Sequence, residues 1–407
     1  MKKTLRKIHL WLSVPTVIII TLICFSGAML VFEKEITEAV KPELYFVKEA
    51  KGEAMPMQDL MEMVEETLPD SVSITGVTVF PDSMRAYQVS LSKPRRASIY
   101  VNQYTGEVTG RSERLPFFDT MFRLHRWLLG KSSSDDGIAW GKLLTGICTL
   151  ALVFILITGI LMWLTNRNKP LKASLAIHVT KGWGRFWHDL HVAGGIYATI
   201  FLLAIALTGL TWSFSWYRTG FYACFGVETS AEGGNHGGAT RGGDGTSTSR
   251  GEGRHGGEGR HGGHHSEGES HGFHGGGGGG FGFHHRSPYR HWDDILEEVA
   301  LKNPGYRQIT LKREVAEVVP EGRLSLRATD KYSYDRRSGE ITDVKLYSSE
   351  GKDTKVRSAV YMVHTGSWGG MLTRIITFLA VIIGTTLPLT GYWLWIRQLT
   401  RKQHHHE

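Results

Sequence analysis

Four long runs without a charged residue constrain this chain more than any other feature of its sequence. Each run is at least 22 residues long, and about 20 apolar residues suffice to cross a bilayer as a helix. The mean hydropathy of −0.17 conceals them, because the remaining residues are strongly polar. Four such runs in one chain predict a membrane protein with four spanning helices rather than a soluble core. They cover residues 10–32, 143–165, 192–217 and 375–396.

Clusters of basic residues indicate how the four runs are oriented. "MKKTLRK" precedes the first run, "NRNKPLK" follows the second, "KGWGR" precedes the third and "RQLTRK" follows the fourth. The positive-inside rule makes this side cytoplasmic, so we expect both termini inside and residues 33–140 and 218–374 mostly outside. The first run is too long for a signal-peptide core, which favours an uncleaved anchor. This pattern accounts for the net charge of +8 without nucleic acid as a partner.

Five histidines lie next to these runs and form two layers. His9 precedes the first run, and His188 and His191 precede the third. His125 precedes the second run and His364 precedes the fourth, which places them at the external side. Ionisable groups beside membrane spans are usually functional, although a single histidine can be an interfacial anchor or a packing residue. The arrangement in layers favours a binding site.

A repeat relates the spans in pairs. His9 and Gly27 are 18 residues apart, as are His191 and Gly209. The second and fourth runs both end in Thr-Gly, with a Trp four residues after the Gly. Two repeated helical hairpins predict a pseudo-symmetric four-helix bundle. Three small residues could serve either helix packing or clearance for a cofactor, namely Gly146, Gly194 and Gly195.

Paired imidazoles within a bundle favour haem over a bare metal ion. Imidazole binds zinc, copper, nickel and iron alike, but a bare ion requires further ligands, and of the acids only Asp189 accompanies these histidines. Haem supplies four nitrogens itself and needs one or two axial ligands. Without a C-x-x-C-H motif the haem would be of the b type, one in each layer. The three cysteines suggest no disulfide framework.

The external segments contain two similar units of helix followed by strands. "MQDLMEMVEETLP" precedes "SITGVTVF", "AYQVSLS" and "ASIYVNQYTGEVTG"; "HWDDILEEVALKNPG" precedes "QITLKR", "GRLSLRATD" and "KYSYDRRSGEITDVKLY". Alternating strands with a Gly-containing turn predict small α+β units. "IYVNQYTGEVTG" and "YSYDRRSGEIT" resemble PepSY domains, and "LHRWLL", "WHDLHVAGG" and "HTGSWGG" resemble the PepSY-associated transmembrane family over nearly the whole chain. The expected fold is an α-helical membrane protein, a pseudo-symmetric four-transmembrane-helix bundle with two small α+β periplasmic PepSY-like domains.

The runs without charge and the two helix–strand units place domain boundaries along the chain. We expect transmembrane helices at 9–32, 141–165, 188–217 and 364–396, and PepSY-like domains at 33–116 and 288–350. The connecting parts are a periplasmic amphipathic segment at 117–140, a cytoplasmic loop at 166–187 and a Gly/His-rich periplasmic loop at 229–287.

The resemblance also implies a function. The family includes bacterial inner-membrane proteins, with ferric-siderophore reductases among them, so it implies a di-haem cytochrome that reduces Fe(III) in a ferric siderophore. Its axial ligands would be His9 with His191 on the cytoplasmic side. On the external side they would be His125 with His364. His188 is held in reserve, because His191 matches His9 in the repeat.

Other residues have more than one interpretation. Arg126, Arg123 and Arg185 could pair with haem propionates or serve topology alone. The 229–287 segment is either a solvated linker or a weak trap for transition metals, since His-rich tracts bind such ions. Its candidate ligands are His261, His264, His265, His271 and His274.

Two further functions remain open at this stage. A non-redox PepSY protein would bind peptide outside and use the spans only as anchors. A histidine-based metal transporter would be expected to carry acidic residues within its spans. The sequence has no Gly-rich dinucleotide fingerprint, and the loop at 166–187 is too short for a flavin domain. The electron donor of a reductase would therefore be a quinol or another reductase.

Overall fold

The computed structural model describes residues 2–50, 52–94, 97–130, 138–165, 174–228 and 287–403. Within these ranges, four helices are long and apolar enough to cross a membrane. All four predicted runs lie on them, apart from the last residues of the first and third runs, so the prediction of a membrane protein is confirmed at this level. The candidate spans are Lys3–Leu30, Trp140–Thr165, Trp183–Ser213 and Ser367–Thr400.

The helices of the described ranges are numbered in chain order. They are α1 (Lys2–Leu30), α2 (Glu33–Val40), α3 (Pro42–Tyr45), α4 (Met57–Glu66), α5 (Pro116–Trp127), α6 (Trp140–Thr165), α7 (Trp183–Asp189), α8 (Gly195–Ser213), α9 (Ser215–Ala223), α10 (Trp292–Lys302), α11 (Lys352–Thr365) and α12 (Gly370–Gln403). A π-helical turn, Leu190–Gly194, joins α7 to α8.

Three predicted spans have bounds that differ from the helices observed. The first covers Lys3–Leu30, whereas 9–32 was expected. The third span begins at Trp183 and ends at Ser213, whereas 188–217 was expected, because the extended backbone of Phe214 separates α8 from α9. His364 was expected to begin the fourth span. It lies instead in the last turn of α11, which ends at Gly366 in the left-handed conformation. Glycine adopts that conformation without steric cost.

The four long helices pack in a closed ring, in which α1 contacts α6, α6 contacts α8, α8 contacts α12, and α12 contacts α1. Apolar side chains from all four helices fill its centre, among them Ile20, Cys148, Leu202 and Val381. At one end of the ring α5 packs on α1 and α6, and α11 packs on α8. These two short helices therefore bring additional side chains against the bundle.

The strands of the described ranges form a single antiparallel sheet. Its order is β4-β3-β2-β1-β5-β6-β7-β8, and β1 pairs with β5 from Gly76↔Lys312 to Val79↔Ile309. The two predicted α+β units therefore share one sheet through β1 and β5. The strands are β1 (Ile74–Val79), β2 (Tyr87–Leu91), β3 (Ser98–Val101), β4 (Val108–Arg111), β5 (Gln308–Lys312), β6 (Val315–Val319), β7 (Asp330–Tyr334) and β8 (Ile341–Lys345).

One predicted strand was wrong. The segment "GRLSLRATD" alternates in sequence but consists of turns and irregular backbone, and its Leu324 and Leu326 side chains are exposed. The strand at this point in the sheet is β6, immediately before Pro320. β6 pairs with β5 on one side and with β7 on the other. Such pairing depends on the neighbouring strands, so alternation within one segment does not identify the strand.

Helices α4 and α10 cover one face of the sheet and give the two halves a common core. Leu60 and Val64 of α4 pack in the same cluster as Ile295 of α10, against Val77 and Leu311 of the joined central strands. Both predicted helices are confirmed. Because apolar burial contributes roughly 25 cal/mol per Å², the shared cluster stabilises β1–β5 pairing along with each half.

A hydrogen-bonded contact also joins the two covering helices. Both carboxylate oxygens of Asp293 accept hydrogen bonds from the backbone N–H of Met57, at 3.0 and 2.8 Å. Met57 is the first residue of α4, where an N–H group has no partner within its own helix. Asp293 of α10 thus caps a helix that belongs to the other half of the sheet.

We predict that Asp293→Ala lowers the free energy of unfolding by about 1–3 kcal/mol, because the Met57 N–H loses its charged acceptor. The neighbouring Asp294→Ala is the control, since the Asp294 side chain is 79% exposed. Thermal unfolding in detergent, followed by circular dichroism, measures both. Equal melting temperatures for the two variants would contradict the capping role.

A second prediction concerns pH. The buried Glu350 carboxylate accepts hydrogen bonds from Lys331 and Lys345, at 3.0 and 3.1 Å. Burial alone would raise the pKa of Glu350, but the two ammonium groups outweigh it and hold the pKa below its usual range. Its stabilisation is therefore present above about pH 4.3 and is lost as the pH falls through the lowered pKa.

Glu350→Gln should accordingly lower the melting temperature at pH 7, and the difference from the unsubstituted protein should shrink as the pH falls below 4. Melting curves at pH 7, 5 and 3 measure this difference. A gap that stays constant with pH would show that packing, rather than charge, is what the substitution removes.

Candidate functional site

Each of the four paired histidines lies against a two-residue element of another helix, a hydroxyl residue followed by glycine. We call these the hydroxyl–glycine elements. His9 faces the element on α6, His125 the one on α1, His191 the one on α12 and His364 the one on α8. The four elements are Ser26-Gly27, Thr158-Gly159, Thr208-Gly209 and Thr390-Gly391.

The two histidines of the predicted cytoplasmic layer are fixed through Nδ1. His9 Nδ1 lies 3.1 Å from the Ile155 carbonyl oxygen and 3.0 Å from Thr158 Oγ1. His191 Nδ1 lies 3.0 Å from Thr390 Oγ1. Both threonine hydroxyls donate their proton to a carbonyl oxygen four residues earlier in their own helix. Their oxygens are therefore left to accept from the imidazoles.

The two histidines of the predicted external layer use the same nitrogen. His125 Nδ1 lies 2.9 Å from the Ile23 carbonyl oxygen. His364 Nδ1 lies 3.0 Å from the Ile205 carbonyl oxygen and 3.4 Å from Thr208 Oγ1. In three of the four sites the carbonyl belongs to the isoleucine four residues before the glycine.

These bonds assign the tautomer of every ring. A carbonyl oxygen only accepts, so Nδ1 must carry the proton and Nε2 keeps its lone pair. Among the described residues, Nε2 of these four rings makes no hydrogen bond to protein. Such an imidazole is prepared to bind a metal through Nε2, with its orientation set by the partner of Nδ1.

The glycines provide the space in which the rings lie. At Gly159 an added Cβ would stand 3.6 Å from His9 Cε1, an ordinary contact. At the other three positions an added Cβ would press on the ring. It would lie 2.9 Å from His125 Cε1 at Gly27, 3.0 Å from His364 Cε1 at Gly209 and 3.0 Å from His191 Cε1 at Gly391. The 18-residue repeat therefore relates His9 to Gly27, which accommodates His125, and His191 to Gly209, which accommodates His364.

In the layer of His125 and His364 the two rings approach each other directly. The ring centroids of His125 and His364 are 6.1 Å apart, with the planes tilted by 51°. Trp212 packs edge-on against His364, with centroids 4.9 Å apart. In the other layer, His191 lies within electrostatic range of His9.

His188 belongs to a different group, arranged around the buried carboxylate of Asp189. Asp189 Oδ2 accepts from Arg185 Nε at 2.8 Å and lies 2.8 Å from His178 Nδ1, and Asp189 Oδ1 lies 3.3 Å from His188 Nδ1. His188 therefore does not contact a hydroxyl–glycine element. Sequence reasoning missed His178, and the available signal was Asp189, because an acid at a span boundary requires partners.

The other predicted residues have identifiable neighbours. Arg123 donates to the Leu129 carbonyl oxygen at 3.4 Å, and the Arg126 guanidinium lies 5.2 Å from the Trp127 ring. An added Cβ would meet Phe214 at Gly146, Leu190 at Gly194 and Leu387 at Gly195. These three glycines therefore serve helix packing. The predicted metal ligands His261, His264, His265, His271 and His274 lie outside the described residues.

The donor set distinguishes the possible occupants of these layers. Across the described part of the chain, His, Cys, Asp and Glu form no group of three or more that could hold a metal ion. Two histidines suit a metal whose other positions are already occupied, as in haem. The residues present thus fit haem better than a bare ion.

The comparisons with known proteins agree with the architecture. The family described as PepSY-associated TM region matches residues 6–398. The chain belongs to this family. No curated protein matches the chain. In this PepSY-associated TM protein, the family match includes all four histidines and all four hydroxyl–glycine elements.

We predict a graded response to alanine at the glycines of the PepSY-associated TM protein. Gly27→Ala, Gly209→Ala and Gly391→Ala should each lower the free energy of unfolding by about 1–3 kcal/mol through overpacking. Gly159→Ala should be tolerated, since alanine favours a helix over glycine by up to about 1 kcal/mol. Thermal unfolding in detergent measures the series. Equal losses at all four positions would show that the ring contacts do not decide the outcome.

Proposed function

We propose that this protein is a di-haem b-type cytochrome of the bacterial inner membrane that passes electrons to the periplasm and reduces Fe(III), there held in a ferric siderophore. The observation that supports the proposal is the fourfold arrangement of histidines. Each ring has its Nδ1 proton engaged by another helix, and no described residue bonds to its Nε2. A structural histidine in a membrane would be expected to satisfy both nitrogens.

The residues that would hold the two haems are His9 with His191 and His125 with His364. Bound haem would supply reversible one-electron chemistry of its iron, which none of the amino acid side chains provides at neutral pH. The protein orients the four rings through their Nδ1 bonds and keeps the proton on that nitrogen. The Ile20, Leu202 and Val381 cluster excludes water between the layers.

The separation of the layers suits transfer across a membrane. His9 and Gly27, which accommodates His125, are 18 residues apart on α1. At 1.5 Å per residue this distance is about 27 Å, close to the hydrocarbon thickness of about 30 Å. One layer would therefore lie near each face of the bilayer. The positive-inside rule assigns the His9 layer to the cytoplasmic face.

The direction of flow follows from this placement. A quinol or another reductase would deliver electrons at the His9 layer, and the external layer would deliver them to the ferric chelate. Siderophores hold Fe(II) more weakly than Fe(III), so reduction releases the iron. The His-rich segment at 229–287 would then meet the released metal on the external side, and its metal binding stays a prediction.

The test is the reduced-minus-oxidised absorbance spectrum of the purified protein, with haem quantified as the pyridine haemochrome. We expect two b-type haems per chain. His9→Ala and His191→Ala should each remove one haem, and His125→Ala and His364→Ala should each remove the other. The combination His9→Ala with His191→Ala should still leave one haem, because both ligands belong to the same layer.

Two further variants complete the test. His188→Ala should keep both haems, because this ring is bonded to Asp189 instead of a hydroxyl–glycine element. His291→Ala, near the start of α10, removes a histidine far from both layers. A folded protein without haem absorbance would refute the proposal and would favour a PepSY protein whose spans only anchor its sheet.

A further inference from the structure

The two edges of the eight-stranded sheet differ in what covers them. At the β4 edge α3 packs alongside the strand, and Thr109 Oγ1 donates to the Leu44 carbonyl oxygen at 2.9 Å. An added Cβ at Gly110 would lie 3.0 Å from Leu44 Cδ1, so α3 is in close contact with this edge. At the other edge, β8 pairs with β7 on one side, and four of its five residues are exposed. Among the strands that the structure describes, β8 is therefore the edge left open.

The backbone of β8 directs its hydrogen-bonding groups outward at Val344. Tyr334 N–H donates to the Glu314 carbonyl oxygen at 3.0 Å, towards β6. Backbone groups of successive residues alternate between the two sides of an antiparallel strand, so those of Tyr332 also point to β6. Val344 faces Tyr332 in the β7–β8 pair, and its own N–H and C=O therefore point away from β7. Outward groups of this kind are a template for another strand.

The side chains around Val344 are apolar on one face of the strand and oppositely charged on the other. Val344 and Leu346 are 44% and 45% exposed, respectively. Asp343 is exposed, and the side chain of Lys345 is 52% exposed although its Nζ lies 3.1 Å from Glu350 Oε2. An ammonium group has three donors, so Lys345 can keep Glu350 and bind a second carboxylate as well.

Charge selects one register for pairing β8 with a copy of itself. With Val344 on a two-fold axis, the two Val344 residues face each other and exchange both backbone hydrogen bonds. Asp343 then faces Lys345 of the second copy, once on each side of the axis. Moving the axis by one residue would place two Asp343 or two Lys345 side chains directly opposite each other, and like charges in that position are destabilising. The Asp-Val-Lys order is thus complementary to itself in the register centred on Val344.

We propose that β8 pairs with β8 of a second copy of this chain, antiparallel and with Val344 on the two-fold axis. Both copies contribute the same patch, as in other two-fold dimers, and their sheets become one continuous sheet. Charged residues on an edge strand usually prevent such pairing, but here the opposite charges two residues apart attract across the axis. The contact involves neither histidine layer, so it is independent of the proposed function.

Disulfide crosslinking tests the pairing in isolated membranes, with a full-length chain whose exposed Cys224 is replaced by serine. Diamide should convert Val344→Cys into a covalent dimer, because opposite hydrogen-bonded residues have Cα atoms about 5.5 Å apart, within the range of disulfides. Asp343→Cys should not link to itself, since its two copies are offset along the strands and their Cα atoms exceed the limit of about 7 Å. Leu301→Cys on α10 is the control for an exposed apolar position.

Charge reversal tests the register in the purified protein. Light scattering in detergent should report a dimer, and Asp343→Lys should weaken it by about tenfold or more, because lysines would then face each other on both sides of the axis. Asp343→Glu should retain the dimer, since the charge is kept. Asp70→Lys, at an exposed position after α4, changes the net charge by the same amount and should leave the dimer unaffected.

Three outcomes would overturn the inference. The first is the absence of a covalent dimer from Val344→Cys, or an equal yield from Asp343→Cys. The second is a dimer whose affinity Asp343→Lys leaves unchanged, because the contact would then lie elsewhere on the protein. The third is linkage of Val344→Cys to a different membrane or periplasmic protein in place of its own copy, which would show that the edge of β8 accepts a foreign strand.

Discussion

The hydrogen bond from histidine Nδ1 to a neighbouring helix is the interaction on which the arrangement of the bundle depends. A membrane interior offers no water to an unpaired polar group, so each imidazole must find a partner in the protein. A histidine ring reaches a backbone carbonyl of the neighbouring helix only where it can approach that helix closely. The glycine four residues after the carbonyl permits this approach. One requirement thus fixes the packing of α1 on α6, of α8 on α12, and of the short helices α5 and α11 on the bundle.

The same interaction leaves the two layers chemically unequal. In the layer of His9 and His191 both rings contact a threonine hydroxyl, whereas in the layer of His125 and His364 the main partners are carbonyl oxygens. Ser26 donates to Leu22 in its own helix instead of contacting His125. A partner of the non-coordinating nitrogen changes the basicity of the ligand and tunes a bound metal. Two haems held by the same kind of residue would therefore differ in redox potential.

Much of this organisation could be predicted from the sequence, since the runs without charge and the spacing of His9, Gly27, His191 and Gly209 are local patterns. The roles of the glycines were not predictable, because they depend on which helix each histidine reaches. Gly194 and Gly146 looked equally suited to a cofactor, yet Gly194 lies against Leu190 and Gly146 against Phe214 and Ser213. His178 carries no periodic signal, and its contact with Asp189 exists only after folding. The β1–β5 pairing was also missed, because no local pattern encodes contacts between segments more than 200 residues apart.

This pairing has a consequence for how the protein is made. The strands β1 to β4 are complete long before β5 leaves the ribosome, and two membrane spans separate them from it. At about 5–20 residues per second of synthesis, the edge of β1 waits for roughly 10–45 seconds without its partner. An unpaired strand edge is a template for wrong pairing. The edge of β1 is therefore open to wrong pairing until β5 has been made, and the sheet can close only after the third candidate span has been synthesised.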